Sequence, residues 1–376
     1  MDFAFSEEQE LLRKTARDFL AQRAPMKHVR AMIEDERGYS PELWREIAEL
    51  GWAGLVLPEA HGGAGLSWVD AVALLEELGR ALTPLPLLPT WIAGAALLEA
   101  GDAAQQSEWL GRIAAGRALA TLALAEEVGS EDPGALGLEA RRSGAGWKLS
   151  GRKLFVPDAH VADLLLVVAR TGGESERGLG LFAVPRESRG VAIAPLRSMD
   201  PLRRLSEVRL EGVALAPEAL LGGDSDAWPR LRRVLDRALV MICAESLGGA
   251  QQCLDDAVRY AKERVQFGRP IGVNQAVKHK CADMLFEVES SRSIVHYAAW
   301  AAREAHPEAE LSAAMAKAYV SDAYTRVAAD GIQLHGGVGF TWEYDCHLYF
   351  KRAKTNEVWL GDASHHRERV ARLLAL

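Results

Sequence analysis

Residues 260–280, YAKERVQFGRPIGVNQAVKHK, bring together side chains whose chemistry suits an anionic ligand that carries a flat ring. Arg264, Gln266 and Phe267 precede a helix-breaking Gly-Arg-Pro, and Gln275 is expected roughly two turns into the next helix. Arginine can bind pyrophosphate through two hydrogen bonds, phenylalanine can cover a ring, and a glutamine amide can hydrogen-bond an adenine edge. Together these residues predict a dinucleotide site that needs no Rossmann fold. The alternative for Arg264 is structural, with its guanidinium capping carbonyls at a helix end.

Two glycine-rich stretches, HGGAGLS at 61–67 and LHGGVGFTWEYD at 334–345, are further candidates. Neither contains the GxxxxGK[ST] pattern, and neither leads from a predicted strand into a helix as GxGxxG requires. Tight turns are one interpretation. The other is that Gly336, Gly337 and Gly339 allow a ligand to approach the main chain closely.

Histidine and cysteine residues of the last third do not predict a metal site. His335, His347 and Cys346 lack a matching carboxylate set, and the adjacent His365 and His366 lack the spacing that places two ligands on one helix face. The sequence also has no GxSxG elbow and no local Cys-His signature of a nucleophile.

The composition is that of a globular protein. The chain has 376 residues, 49% hydrophobic and 26% charged, with a net charge of −8, so its surface as a whole does not favour nucleic acid or anionic membrane. Four cysteines without a CxxC pair indicate free thiols in a reducing compartment. The acidic start MDFAFSEEQE does not resemble a signal peptide, and the longest apolar run is interrupted by prolines. A cytoplasmic location is expected.

The elements that must position these residues change along the chain. Helices are predicted to about residue 115, with capping signals at Ser6 with Gln9 and at Ser40 before Pro41. Short β-branched runs separated by Gly, Pro, Asp and Ser then predict the strands of a sandwich or barrel, and long helical periodicity returns near 226. An α+β chain is therefore expected, with domains 1–117 (helical), 118–224 (β) and 225–376 (helical).

The sequence resembles the acyl-CoA dehydrogenase family over nearly its whole length. The matching stretches are LPEAHGGAGLS, RVQFGRPIGVNQAVKHKCADM and GIQLHGGVGFTWEYD, which follow one another in the family's order and spacing. The resemblance implies a helical domain, a middle β-barrel and a C-terminal four-helix bundle.

The resemblance also implies that the chain binds FAD. In the family, the Arg and Phe of the RxxFG stretch contact the pyrophosphate and ring system, and a Gln of the following helix lies near the adenine. A Gln-x-x-Gly-Gly segment from a neighbouring subunit completes the site, so a dimer or a dimer of dimers is implied. The corresponding residues here are Arg264, Gln266, Phe267, Gln275, Gln333, Gly336 and Gly337.

The implied reaction is α,β-dehydrogenation of an acyl-CoA thioester, in which a glutamate removes the α-proton and flavin accepts the β-hydride. Leu360 occupies the position of that glutamate, and Ala238 occupies the alternative position used in one branch of the family. Glu245, two turns after Ala238 in an apolar stretch, is the best candidate for a relocated base, because an apolar environment raises a carboxyl pKa. The alternative is that Glu245 pairs with an arginine or caps a buried polar group. Glu357 and Asp362 beside Leu360 are expected to be solvated or to cap helices.

Other positions also differ from the family. Phe155 replaces a tryptophan against the flavin and Pro157 replaces a hydroxyl residue, while LALAEEVGSEDPG replaces the usual Thr-Glu-Pro-x-x-Gly-Ser-Asp loop. Asp236 matches a family aspartate that helps to hold CoA, but Leu239 stands where an arginine is expected nearby.

Three interpretations follow. The chain is the glutamate-lacking subunit of an α2β2 enzyme, or a self-sufficient homotetramer with Glu245 as its base. The third interpretation is a relative that has lost FAD and has a binding or structural role, or one whose flavin does other chemistry such as oxygen activation. The first two pass electrons to an electron-transfer flavoprotein or a similar acceptor.

Overall fold

A computed structural model describes residues 5–127, 132–223 and 226–376, and confirms the predicted order of helices, strands and helices. The helices are Glu7–Arg23 (α1), Met26–Glu34 (α2), Pro41–Glu49 (α3), Trp68–Arg80 (α4), Leu87–Ala100 (α5), Ala103–Ala114 (α6), Trp228–Glu263 (α7), Gln275–Arg303 (α8), Ala309–His335 (α9), Cys346–Val358 (α10) and Ala363–Leu373 (α11). The strands are Ala120–Ala123 (β1), Glu139–Ser143 (β2), Gly146–Pro157 (β3), Leu164–Arg170 (β4), Leu179–Pro185 (β5), Val191–Leu196 (β6), Leu205–Leu215 (β7), Val265–Gln266 (β8) and Arg269–Pro270 (β9).

Both predicted capping signals begin helices. Ser6 and Gln9 form a reciprocal capping box at the start of α1. Ser40 accepts a hydrogen bond from Leu43 N at 3.2 Å, with Pro41 in the first position of α3. These caps satisfy main-chain N–H groups that a helix start leaves without intrahelical partners.

The middle strands form one seven-stranded mixed sheet. The order is β1-β4-β2-β3-β7-β6, with β5 paired to the other edge of β4. Strands β3, β7 and β6 are antiparallel, whereas β1 and β4 run parallel. Alternate side chains of the strands bury an aliphatic core in which the Trp147 ring packs edge-on against Phe182 at 5.3 Å.

By packing, the chain forms two compact units. The first comprises Met1–Ala31, Ser67–Thr83 and Asp236–Leu376, and the second Met32–Leu66 and Pro84–Leu235. In the first unit, α1 packs on α4, α4 on α8, and α9 on α8, α10 and α11. The division into 1–117, 118–224 and 225–376 stays a prediction.

Glycines let α4 and α7 touch through their main chains within the first unit. A Cβ added at Gly79 of α4 would lie 1.9 Å from Glu245 O, and one added at Gly248 of α7 would lie 1.8 Å from Glu76 O. The next residue, Gly249, faces α9, where an added Cβ would lie 2.2 Å from Tyr324 Oη. This part of α7 therefore has no room for a side chain on either face.

Among the residues that the structure describes, no helix is both long and apolar enough to cross a membrane. No group of three or more His, Cys, Asp or Glu side chains in these ranges is arranged to hold a metal ion.

Candidate functional site

The corner between α7 and α8 is a tight hairpin. Val265 pairs with Pro270 and Gln266 with Arg269, which leaves Phe267 and Gly268 as the two loop residues. Both loop residues have positive φ, 52° and 77°, as a type I′ turn requires. Glycine adopts this conformation readily, but a phenylalanine in it is strained. The Phe267 side chain is fully exposed, so the strained turn leaves an aromatic ring accessible to a ligand or another chain.

Arg264 lies at the start of this hairpin, and its side chain is exposed to solvent. Its main-chain N donates to Tyr260 O at 2.8 Å, which continues the hydrogen bonding of α7. When the Gln266 amide is oriented to satisfy its neighbours, its oxygen accepts from Arg264 Nη2 at 2.8 Å. Within the described residues, the Arg264 guanidinium forms no ion pair and caps no carbonyl. The structural alternative for Arg264 is therefore not observed.

Gln275 is the first residue of α8, not two turns inside it. The helix begins later than expected, because a short 3-10 turn at Ile271–Val273 comes first and Asn274 takes the N-cap position. The Asn274 side chain donates to Ile271 O, which leaves the first turn without a side-chain cap. The uncapped N–H groups of a 29-residue helix attract an anion. Gln275 is exposed at this end of α8.

The second glycine-rich stretch follows the end of α9. Gln333, Gly336 and Gly337 are all exposed. A Cβ added at either glycine would meet no atom within 4 Å, so a ligand could reach the main chain here.

Aromatic packing joins the two stretches. The Tyr260 ring stacks on His335 with centroids 4.3 Å apart, and Tyr344 lies edge-on to both rings at 6.2 and 5.7 Å. The hairpin after α7 and the turn after α9 therefore lie side by side on one chain. The resemblance implied that the second stretch arrives from a neighbouring subunit, whereas this arrangement allows one nucleotide to contact both stretches of the same chain. Sequence reasoning missed Tyr260, because nothing in its spacing distinguishes it from other residues of α7.

Leu360 lies in the turn between α10 and α11, with φ of 57°. Asp362 is the N-cap of α11 and accepts from His365 N at 2.8 Å. The Glu357 carboxylate accepts from Thr325 Oγ1 at 2.9 Å. Asp362 thus has the capping role that was expected of it, whereas the half-buried Glu357 bonds to other side chains and caps no helix among the described residues.

Glu245 is buried, with 7% of its surface exposed, but its surroundings are not apolar. Arg352 Nη1 donates to one carboxylate oxygen at 3.1 Å and Asn356 Nδ2 donates to the other at 2.9 Å. The structure therefore shows the arginine pairing that was the alternative to a relocated base. Asn356 stands four residues before Leu360, so Glu245 does lie near that turn.

Asp236 is bonded within the first unit and is far from the α7–α8 corner. Arg369 Nη2 lies 2.5 Å from Asp236 Oδ1 and 3.1 Å from Glu310 Oε1. At 1.5 Å per residue, the 28 residues to Arg264 span roughly 40 Å along α7.

In the second unit, Phe155 lies at an irregularity of the sheet. The pairing of β3 with β7 shifts between Lys153 and Val156, and Phe155 has φ of 55° with 49% of its surface exposed. Bulges of this kind re-aim side chains and are common beside active sites. Pro157 O accepts from Thr121 Oγ1 at 2.7 Å.

A buried ion pair that the sequence did not suggest lies beside Phe155. Lys153 donates to Glu126 Oε1 at 2.6 Å and to Leu124 O at 2.8 Å. Burial lowers the pKa of Lys153 to about 8. The pair ties β3 to the segment that replaces the family loop, of which residues 128–131 lie outside the described residues.

Comparison with known proteins gives the same assignment for all three parts of the chain. Family models match residues 6–117 (acyl-CoA dehydrogenase, N-terminal domain), 121–213 (middle domain) and 228–375 (C-terminal domain). Acyl-CoA dehydrogenase IpdE2 of Mycolicibacterium smegmatis is 37% identical over 371 residues, which is 98% of this chain and 99% of the relative.

Two solved structures are similar along their full length. A Tcur3481-Tcur3483 steroid ACAD variant is 35% identical, with a TM-score of 0.88 and coverage of 98% of both chains. The ChsE4-ChsE5 complex of Mycobacterium tuberculosis is 30% identical, with a TM-score of 0.90 and coverage of 100% of this chain and 99% of that chain. The chain therefore belongs to the acyl-CoA dehydrogenase family of FAD-dependent oxidoreductases that act on CH–CH bonds.

Proposed function

We propose that this chain acts in the α,β-dehydrogenation of an acyl-CoA thioester as the subunit that lacks its own carboxylate base. A related chain supplies that base, and an electron-transfer flavoprotein accepts the electrons. The observation that carries the proposal is the α10–α11 turn, where Leu360 cannot accept a proton and the nearby Glu245 is bonded to Arg352 and Asn356.

The α7–α8 corner fits the nucleotide end of FAD. Arg264 offers an available guanidinium to pyrophosphate, and the uncapped start of α8 adds positive potential. Gln275 and Gln333 offer exposed amides to a base edge, and the exposed Phe267 ring suits a flat surface. These residues, with Gly336 and Gly337 as close-approach points, are the proposed FAD contacts of this chain.

The division of labour follows from these residues. FAD, when bound, supplies the acceptor for the hydride that leaves the β-carbon. The corner residues hold and orient the nucleotide, while the partner's carboxylate takes the α-proton. Asp236 remains a candidate for contacting CoA. To do so, its carboxylate would have to share or give up its bond to Arg369.

Glu245 is poorly suited to be the base. Both of its carboxylate oxygens already accept hydrogen bonds, one from the Arg352 guanidinium and the other from the Asn356 amide. To remove a substrate proton, Glu245 would have to give up at least one of these buried bonds. Glu245 is better suited to hold α7 against α10.

Two further observations support a partner chain. Exposed aromatic side chains, Phe267, Phe340 and Trp342, surround the corner, and exposed apolar surface of this kind indicates contact with another protein. The similar structure from M. tuberculosis is described as a complex of two named chains, and the 35% identical one is described as a steroid ACAD. An acyl-CoA with a steroid-derived acyl group is therefore the first substrate to test.

The test is to express the chain alone and together with a neighbouring dehydrogenase gene, and to record visible absorption and mass in solution. We expect a colourless or aggregating product alone and a yellow heteromer after co-expression. A yellow homotetramer that an acyl-CoA bleaches would contradict the proposal and favour the self-sufficient enzyme. A yellow complex that no acyl-CoA bleaches would favour the third interpretation.

Glu245→Gln separates the two catalytic interpretations. We expect the co-expressed complex to keep its acyl-CoA-dependent bleaching rate within about twofold. Stability should fall by about 3 kcal/mol, because Arg352 is left buried without its anion. Stopped-flow absorbance and thermal unfolding measure the two effects. Complete loss of bleaching with unchanged stability would instead identify Glu245 as the base.

A further inference from the structure

Lys317 of α9 carries an ammonium group whose side chain is fully buried in the first unit. Its Nζ donates to Glu357 O and Gly361 O, each at 2.8 Å, and to Ser321 Oγ at 3.0 Å. An ammonium has three donors, and here they go to three oxygens. Two of these are main-chain carbonyls of the 357–361 turn, the segment that carries Leu360.

His366 of α11 holds the same turn from the other side. Its Nε2 lies 2.7 Å from Leu360 O, and because a carbonyl only accepts, Nε2 must carry the proton. Burial lowers the pKa of His366 to about 3, so the ring is neutral near pH 7 and keeps this tautomer. Lys317 and His366 together therefore bond the carbonyls of residues 357, 360 and 361.

The conformation that these bonds hold is strained. Leu360 has φ of 57°, a region that a leucine rarely adopts. Such strain persists where the surrounding structure over-determines the main chain, and it is concentrated at functional sites. Gly361 adds to the constraint, because a Cβ there would lie 3.0 Å from His366 Nε2. None of these contacts involves the Leu360 side chain.

We propose that Lys317 and His366 are positioning residues that fix the direction of the side chain at position 360, whatever that side chain is. The inference rests on the proposed function in one respect, namely that position 360 is where the family's base is expected. In this view the 357–361 turn is a preformed support that has lost its reactive group and kept its geometry. A carboxylate restored at position 360 would then be held as rigidly as the leucine is.

The first experiment measures position directly and needs neither flavin nor substrate. Leu360→Cys is made in a background where the half-exposed Cys281 and Cys346 are serine, and the new thiol carries a nitroxide spin label. We expect an immobilised spectrum with Lys317 present and a mobile one in Lys317→Met. A label at the exposed Val358 should be mobile in both proteins.

Matched controls separate positioning from general loosening. Lys14→Met removes an exposed lysine of α1 and should leave the label at 360 immobilised. His366→Leu should mobilise it as Lys317→Met does, and it decides the question if Lys317→Met does not fold. A label that is already mobile in the parent protein, or that stays immobilised in both variants, overturns the inference.

The second experiment links positioning to chemistry. In the co-expressed complex with the partner's base removed, Leu360→Glu should raise acyl-CoA-dependent bleaching at least 100-fold. Lys317→Met should then reduce that gain at least tenfold with unchanged flavin content. If the label responds as expected but Leu360→Glu stays inactive, the positioning role holds and the assignment of the base to position 360 fails.

Discussion

Replacing Arg264 by alanine should give a folded protein that does not retain flavin through purification. Arg264 has no ion pair among the described residues and is exposed, so its removal leaves no buried partner without its bond. Two hydrogen bonds to a charged phosphate contribute about 3 kcal/mol, and their loss weakens binding about 100-fold. The ratio of flavin absorbance to protein absorbance, measured on the form of the protein that binds flavin, is the readout.

Arg303→Ala is the matched control for this variant. Arg303 is also exposed, at the other end of α8, and is bonded to the neighbouring Glu304. Arg303→Ala should leave the flavin content unchanged. The circular dichroism spectra of both variants should match that of the parent protein. Normal flavin content in Arg264→Ala would remove the α7–α8 corner from the cofactor site.

The largest expected loss of stability comes from Gly248→Ala. The new Cβ would lie 1.8 Å from a main-chain oxygen of α4, and a main-chain atom cannot move aside as the end of a side chain can. The helices must separate, and overpacking of this kind costs about 3 kcal/mol or more. Thermal or denaturant unfolding of the purified protein measures the change, and insoluble expression is the extreme result.

Gly331→Ala tests whether the effect is steric. Gly331 is buried within α9, yet a Cβ there would meet Cys253 at an ordinary 3.9 Å. Alanine favours helices over glycine by about 1 kcal/mol, so this variant should be as stable as the parent or more stable. Equal destabilisation by both substitutions would contradict the close contact of α4 and α7.

Local features of the fold were predictable, because their causes lie within a few residues. The capping box at Ser6 and the Ser-Pro start of α3 needed only neighbouring side chains. The order of helices, strands and helices followed from periodicity in the same way. The start of α8 at Gln275 was misplaced, because a 3-10 turn at Ile271–Val273 separates the helix-breaking Gly-Arg-Pro from the first residue of α8.

Features that depend on distant segments were not predictable from spacing. Arg352, the partner of Glu245, lies 107 residues further along the chain, and an apolar stretch of α7 gave no sign of it. The stacking of Tyr260 on His335 and the bonds from Lys317 to the 357–361 turn are likewise tertiary. The resemblance supplied the candidate residues, and the packing supplied the bonds that constrain them.

The length of α7 has a consequence for how such a chain can diverge. Glu245, which lies near the 357–361 turn, is separated from Arg264 by 19 residues along α7, roughly 28 Å. Substitutions that far apart act on stability independently of one another. After a gene duplication, one copy can therefore lose its reactive side chain while selection continues to maintain its grip on the nucleotide. An enzyme built from two such chains needs only one chain with the reactive side chain and one chain with the nucleotide-binding residues.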